Sequence, residues 1–137
     1  MNAPPVPAPV ALALSRQPER VEARLLEIRT LLFAVAAQTE GVGPLTETLK
    51  WGEPAYLTEA SRSGTTIRLG ATRSSPAAAA VLLNCKTNLV ETFRASFADV
   101  FAFEGNRAVI MPMAGPLPQA PLALCLRAAL TYHRSRH

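Results

Sequence analysis

Apolar residues recur at alternating steps of four and three from Val21 through Leu25, Ile28 and Leu32 to Val35, the spacing that lines one face of an α-helix. Pro18 in the first turn suits the start of this helix, where its missing N–H would lack an intrahelical partner anyway. The other face carries Arg20, Glu22, Arg24, Glu27 and Arg29 and reads as solvated with mixed sign. Arg24 and Glu27, three apart, can pair, whereas Arg20 and Arg24 repel mildly at spacing four. Gly41, Gly43 and Pro44 break the pattern, and residues 45–49 are expected to form one short helical turn before Gly52 and Pro54 stop it.

Alternation then replaces the helical period. Thr65, Ile67 and Leu69 stand against Thr66 and Arg68, and residues 55–59 and 65–71 read as the two strands of a hairpin around a Ser/Arg/Gly stretch. The apolar run 77–85 reads as a buried strand, because Pro76 and a helix start near Asn88 limit its length. Asn88 with Glu91 three positions on has the form of a capping box, opening a helix to about Phe97. Leu89, Phe93 and Phe97 line one face of it and read as core. Strands over 100–104 and 107–111 flank Gly105-Asn106, a pair suited to the positive φ angles of a tight turn. A last helix from about Pro118 to about His133 carries a buried stripe of Leu122, Leu126, Ala129 and Leu130. This order predicts an α+β fold: an antiparallel sheet of about five strands with the N- and C-terminal helices packed on one face.

Length and composition narrow the picture. A chain of 137 residues suits one domain, and 49% hydrophobic with 18% charged residues leaves enough apolar surface to offset the entropy of ordering. Residues 1–16, with Pro4, Pro5, Pro7 and Pro9, read as a disordered Pro/Ala-rich tail, and residues 17–134 as the domain. The beginning lacks the positive charge of a secretory signal, and no apolar run approaches the ~20 residues of a membrane-spanning helix. The expectation is a cytoplasmic protein with no membrane partner. Cys85 and Cys125 fall in apolar segments and are expected to be free, buried thiols. The net charge of +4 is spread along the chain, with a small cluster only at Arg134, Arg136 and the flanking histidines. Nucleic-acid binders concentrate such charge on one face, so nucleic acid is not the expected partner.

Candidate chemistry lies in two places. Lys50, Trp51, Glu53 and Tyr56 put an ammonium, an indole, a carboxylate and a phenol around two backbone breakers, as a ligand-lining loop would. The alternative is that Trp51 plugs the core, Gly52 and Pro54 shape the turn, and Lys50 pairs with Glu53. Lys86, Thr87 and Asn88 lie at a helix start whose free N–H groups favour an anion, with Arg94 or Arg68 in reach if the fold permits. The alternative there is a plain N-cap. Cys85, beside Lys86, is a candidate activated thiol. Glu104 and Arg107 read either as a functional pair or as a salt bridge holding their turn. His133 and His137 sit at the end of the chain, away from any nucleophile in sequence, and no phosphate-binding glycine loop, Cys/His metal spacing or paired-carboxylate motif appears.

Three stretches are more specific than periodicity: Leu49-Lys50-Trp51-Gly52-Glu53-Pro54-Ala55-Tyr56, Cys85-Lys86-Thr87-Asn88-Leu89-Val90-Glu91-Thr92-Phe93-Arg94, and Phe103-Glu104-Gly105-Asn106-Arg107-Ala108. In this order and spacing they resemble the bacterial domain-of-unknown-function family 1801, also called YdhG-like, over roughly Leu25 to His133. The resemblance implies a compact α+β fold and little defined chemistry. Some relatives are described as frataxin-like iron chaperones, a role that calls for clustered carboxylates because hard iron cations favour oxygen ligands. Here the first helix carries Glu19, Glu22 and Glu27 among Arg16, Arg20, Arg24 and Arg29. The expected function is therefore a non-enzymatic binding module for a small anionic ligand or peptide, with iron binding as the alternative. Its expected site is Lys50, Trp51, Glu53, Tyr56, Lys86, Thr87, Asn88 and Arg94, with no metal and no cofactor. Its partner is an unknown small molecule or protein, and a homodimer through a sheet edge or a helix stays open.

Overall fold

The computed structural model describes residues 3–134. Its elements are helix α1 (Ala8–Ser15), helix α2 (Glu19–Gln38), strands β1 (Thr46–Lys50), β2 (Glu53–Leu57), β3 (Ile67–Gly70) and β4 (Ala80–Leu82), helix α3 (Leu89–Phe97), strands β5 (Ala102–Glu104) and β6 (Ala108–Ile110), and helix α4 (Gln119–Leu130). The fold is α+β, with six strands rather than five in one antiparallel sheet of order β1-β2-β3-β4-β6-β5.

The sixth strand is β1, where the sequence suggested a helical turn. Residues 46–50 pair along their whole length with β2, from Thr46 opposite Leu57 to Lys50 opposite Glu53. Five residues cannot repay helix nucleation on their own, whereas a two-residue turn at Trp51-Gly52 closes the hairpin. Pro54 fits in β2 because the ladder to β3 pairs Ala55 with Arg68 and Tyr56 with Ile67, leaving Pro54 outside it.

The stretch expected to be a disordered tail contains α1. Pro7 is its N-cap and Pro9 falls in the first turn, where an absent N–H costs nothing, so the prolines start the helix instead of preventing it. Val10, Ala13 and Leu14 are buried, and α1 packs against β2, α2 and β1.

Strand alternation divides the sheet into two faces. Tyr56, Ile67, Leu69, Val81, Leu83, Val109 and Met111 share one core with buried residues of all four helices. Val21, Leu25, Ile28, Leu32 and Val35 form the buried stripe that their spacing predicts, and Leu122, Leu126, Ala129 and Leu130 do the same in α4. Arg29, however, departs from the expected solvated face. It is 3% exposed, and its guanidinium takes both oxygens of Glu47, at 2.6 and 2.9 Å. Arg24 is buried as well; it pairs with Glu27 at 3.1 Å and donates to the carbonyl of Gly115 at 2.7 Å. The opposite sheet face carries a small cluster, Ala80, Leu82, Ala108 and Ile110, with Ala78 against it. No helix among the described residues is long and apolar enough to cross a membrane.

Candidate functional site

The hairpin between β1 and β2 turns on two residues with left-handed backbone, Trp51 at φ 57° and Gly52 at φ 77°. A two-residue turn with positive φ at both positions is the form that Asn-Gly or Gly-Gly adopts without strain. An L-residue with a bulky side chain in this region costs roughly 1–2 kcal/mol. Trp51 is nevertheless there, and its side chain gains almost nothing from burial: it is 88% exposed. The alternative in which Trp51 plugs the core is thereby overturned, because the turn geometry aims the indole outward.

Beside Trp51 is a groove of about 300 Å³ lined by Lys50, Thr66, Arg68, Asn84, Cys85 and Arg107, with Leu83 completing it. Each side chain is positioned by the ladder. Lys50 closes the β1–β2 hairpin, Arg68 lies opposite Leu82 of β4, and Thr66 is two residues before Arg68 on the same face. The carbonyl of Arg107 accepts a 2.7 Å hydrogen bond from the Leu83 N–H, which holds the start of β6 to the end of β4 and sets the Arg107 side chain at the groove. Three cations, Lys50, Arg68 and Arg107, thus line one groove.

Glu53 is the carboxylate among them. It shares its face with Lys50 across the hairpin, but its ion pair is with Arg68, at 2.8 Å, rather than with Lys50. The carboxylate lies over Gly70, where a Cβ would meet Glu53 Oε2 and Cδ. Burial pushes the Glu53 carboxyl above its ordinary range, and the charges of Arg68 and Arg107 oppose that rise without cancelling it.

The other expected site residues divide. Tyr56 is fully buried on the helix side, with its hydroxyl donating to Glu47 at 2.7 Å and its ring edge-on to Phe33 at 5.9 Å, so it belongs to the core and not to the groove. Burial and the neighbouring Glu47 carboxylate both push its phenol upward, so it stays protonated. Arg94 is also elsewhere: it donates to the Gly105 carbonyl at 2.7 Å and stacks on Phe103 at 5.4 Å. Lys86, Thr87 and Asn88 follow the groove in sequence without lining it; the β4–α3 loop enters the groove through Asn84 and Cys85.

The capping box does not form. Asn88 makes no side-chain cap bond. Asn84 Oδ1 instead accepts the Lys86 N–H at 2.9 Å, and the Thr87 hydroxyl donates to the Asn84 carbonyl at 2.8 Å, so a turn of short polar side chains leads into α3. Because that turn sits on the surface, Cys85 is exposed, contrary to the expected burial; Cys125 is buried, and both are free. Glu104 and Arg107 form no ion pair among the described residues, since Arg107 turns to the groove while its N–H donates to the Glu104 carbonyl at 3.4 Å.

In the sequence Arg68 stands out only as a candidate neighbour of the helix start, and Thr66 and Asn84 do not stand out at all. The alternation of Thr66 and Arg68 against Ile67 and Leu69 marks them as sharing a face. Only the strand order brings that face to Lys50 and Arg107.

A larger, more apolar hollow of about 490 Å³ lies between the end of α2 and the loop into β1, lined by Phe33, Ala36, Ala37 and Leu45 with few polar groups. No group of three or more His, Cys, Asp or Glu among the described residues stands close enough to hold a metal ion. Comparisons of the chain with known protein families, with curated proteins and with solved structures find no match.

Proposed function

We propose that this protein is a binding module for a small anionic ligand that carries a flat apolar group, a description that a peptide with a carboxylate beside an aromatic side chain also meets. The observation that carries the reading is the meeting of Lys50, Arg68 and Arg107 in one groove beside an indole held outward at an energetic cost. Backbone strain retained at an exposed aromatic is the kind of feature that function, rather than folding, sustains. Three cations against one carboxylate leave the groove with a positive balance, and Trp51 offers a face for stacking. The resemblance of the Leu49–Tyr56, Cys85–Arg94 and Phe103–Ala108 motifs to the 1801 family belongs with this proposal, as all three contribute a groove residue. A cytoplasmic location belongs with it too.

Trp51 is the only tryptophan of the chain, so its emission reports on the groove directly. Titration with naphthalene-1-sulfonate, sulfate and short aromatic peptides with free carboxylates is expected to change that emission. The change should weaken at least tenfold in Arg68→Ala and Arg107→Ala, and should persist in Arg94→Ala. Anion responses that ignore Arg107→Ala, or no response to any of these anions, would remove the reading.

A further inference from the structure

Arg68 is both a wall of the groove and the ion-pair partner of Glu53, at 2.8 Å. Glu53 engages the guanidinium through Nη1, so an anion that enters the groove and takes that side of Arg68 competes with a carboxylate already in place. Glu53 is poorly placed to swing away into water: it lies in β2, its carboxylate rests over Gly70, and its side chain is 24% exposed. Gly70 is what makes room for it, since any side chain there would occupy the position of Oε2. A half-buried carboxylate that loses its cation and gains a neighbouring anion lowers its free energy by binding a proton.

We infer that anion binding in this groove is an exchange, in which the ligand takes Arg68 from Glu53 and Glu53 takes up one proton from solvent. The inference rests on the anion-binding reading and adds its regulation: the site binds more tightly as pH falls. Burial has already moved the Glu53 carboxyl upward, toward the range where this exchange operates. The charged or titratable groups around it are Lys50 from β1, Arg68 from β3 and Arg107 before β6, with Cys85 of the β4–α3 loop lining the same groove. Glu104 shares the face but stands on β5, with β4 and β6 between it and β3. Lysine and arginine keep their charge through neutral pH, which leaves Glu53 as the proton acceptor and Cys85 as the group to control for.

Titration calorimetry of the full chain with naphthalene-1-sulfonate, which stays ionised throughout, tests this between about pH 5 and about pH 8 in buffers of differing ionisation enthalpy. The wild type is expected to take up close to one proton per anion within part of that range, with affinity falling up to about tenfold per pH unit there. Cys85→Ser should behave the same. Glu53→Gln should bind with nearly constant affinity and no proton uptake. Gly70→Ala supplies a second route, because its methyl group displaces the Glu53 carboxylate while leaving every charge present; it should bind more tightly than wild type near neutral pH. Binding without proton uptake, or an unchanged pH profile in Glu53→Gln or Gly70→Ala, would overturn the exchange while leaving the anion site standing. Absence of binding by the wild type at every pH would remove both.

Discussion

Arg29 of α2 and Glu47 of β1 meet in a two-pronged ion pair, Nε to Oε2 at 2.6 Å and Nη2 to Oε1 at 2.9 Å, with side chains only 4% and 7% exposed. The Tyr56 hydroxyl donates to the same Oε2, and Arg29 also donates to the Pro5 carbonyl at 3.3 Å while its guanidinium lies over the Phe33 ring at 4.9 Å. Glu47 holds the guanidinium above its ordinary range, chiefly through the hydrogen bonds and against the opposing effect of burial. One cluster thus ties α2, the edge strand, its neighbour and the chain before α1. Because the edge strand leads into the Trp51 turn, the cluster also anchors one wall of the groove.

Removing one partner of a buried ion pair strands the other, which typically costs about 3–5 kcal/mol, whereas replacing both with apolar groups is often close to neutral. Arg29→Met and Glu47→Leu are each expected to destabilise by about that amount, and the double variant by clearly less than their sum. Urea denaturation of the four proteins measures the cycle. Additive losses would mean that the two side chains act independently.

Among the glycines of the described residues, Gly64 makes the tightest approach to neighbouring backbone. The Thr65 N–H donates to the Ala129 carbonyl at 3.0 Å and the Ser63 hydroxyl to the Leu130 carbonyl at 2.7 Å, so the loop between β2 and β3 closes the end of α4. A Cβ on Gly64 would sit 2.5 Å from the Leu130 carbonyl oxygen and 2.6 Å from that of Ala129, both backbone atoms with little room to yield. Gly64→Ala is expected to destabilise by about 1–3 kcal/mol, as an overpacked site does. A thermal midpoint unchanged from wild type would contradict the close approach.

Trp51 separates stability from binding. In a left-handed turn position asparagine is the favoured residue, and an indole this exposed contributes little burial, so Trp51→Asn is expected to stabilise the fold by roughly 0.5–1 kcal/mol. The same substitution should weaken anion binding by removing the stacking face, read by calorimetry since the fluorophore is lost. A variant less stable than wild type would show that the indole contributes packing that its exposure conceals.

How far the sequence could be read depended on whether a feature was local. Helical period placed α2 and α4 to within a few residues, and α3 lies where it was expected although its capping box does not form. Gly105-Asn106 marked the hairpin of β5 and β6, although only Gly105 of the pair takes a positive φ and Arg107 joins the connection. The short β1 was misread, since a strand of this length owes its conformation to β2 rather than to its own residues. Of the expected site, Lys50 and Trp51 reached the groove and Glu53 lies beside it through Arg68, whereas Tyr56 and Arg94 went elsewhere. Alternation explains Tyr56: three residues along a strand from Glu53 it must face the other side. Arg107 joined the groove only through a hydrogen bond between distant segments, which no local pattern records.

The Glu53 carboxyl gives stability a pH dependence of definite sign. Its folded value lies above the ordinary 4.5, so the folded state binds the proton more tightly than the unfolded state. Its contribution is present in full below the unfolded value and is lost as pH rises through the raised folded value. Relative to Glu53→Gln, the wild type should therefore lose stability as pH rises from about 4 toward neutrality. Denaturant midpoints of both proteins across that range measure the trend, and a wild type that gains stability relative to Glu53→Gln as pH rises would reverse the sign assigned to burial.

The two thiols should separate cleanly by reactivity. Cys125 is buried against Leu122, Leu126 and Phe93, and burial pushes its thiol up to about 12, so near neutral pH it holds almost no thiolate and presents little surface to a reagent. Cys85 is exposed and lines the groove with Lys50, Arg68 and Arg107. Iodoacetamide is expected to modify one thiol per chain in the native protein, Cys85, and the second only after denaturation. Naphthalene-1-sulfonate in the groove should slow the first reaction by covering the thiol, and should not slow it in Arg107→Ala. Mass spectrometry of the labelled peptides distinguishes the outcomes. Equal labelling of both cysteines in the folded protein would contradict the burial of Cys125, and protection that survives Arg107→Ala would place the anion somewhere other than beside Cys85.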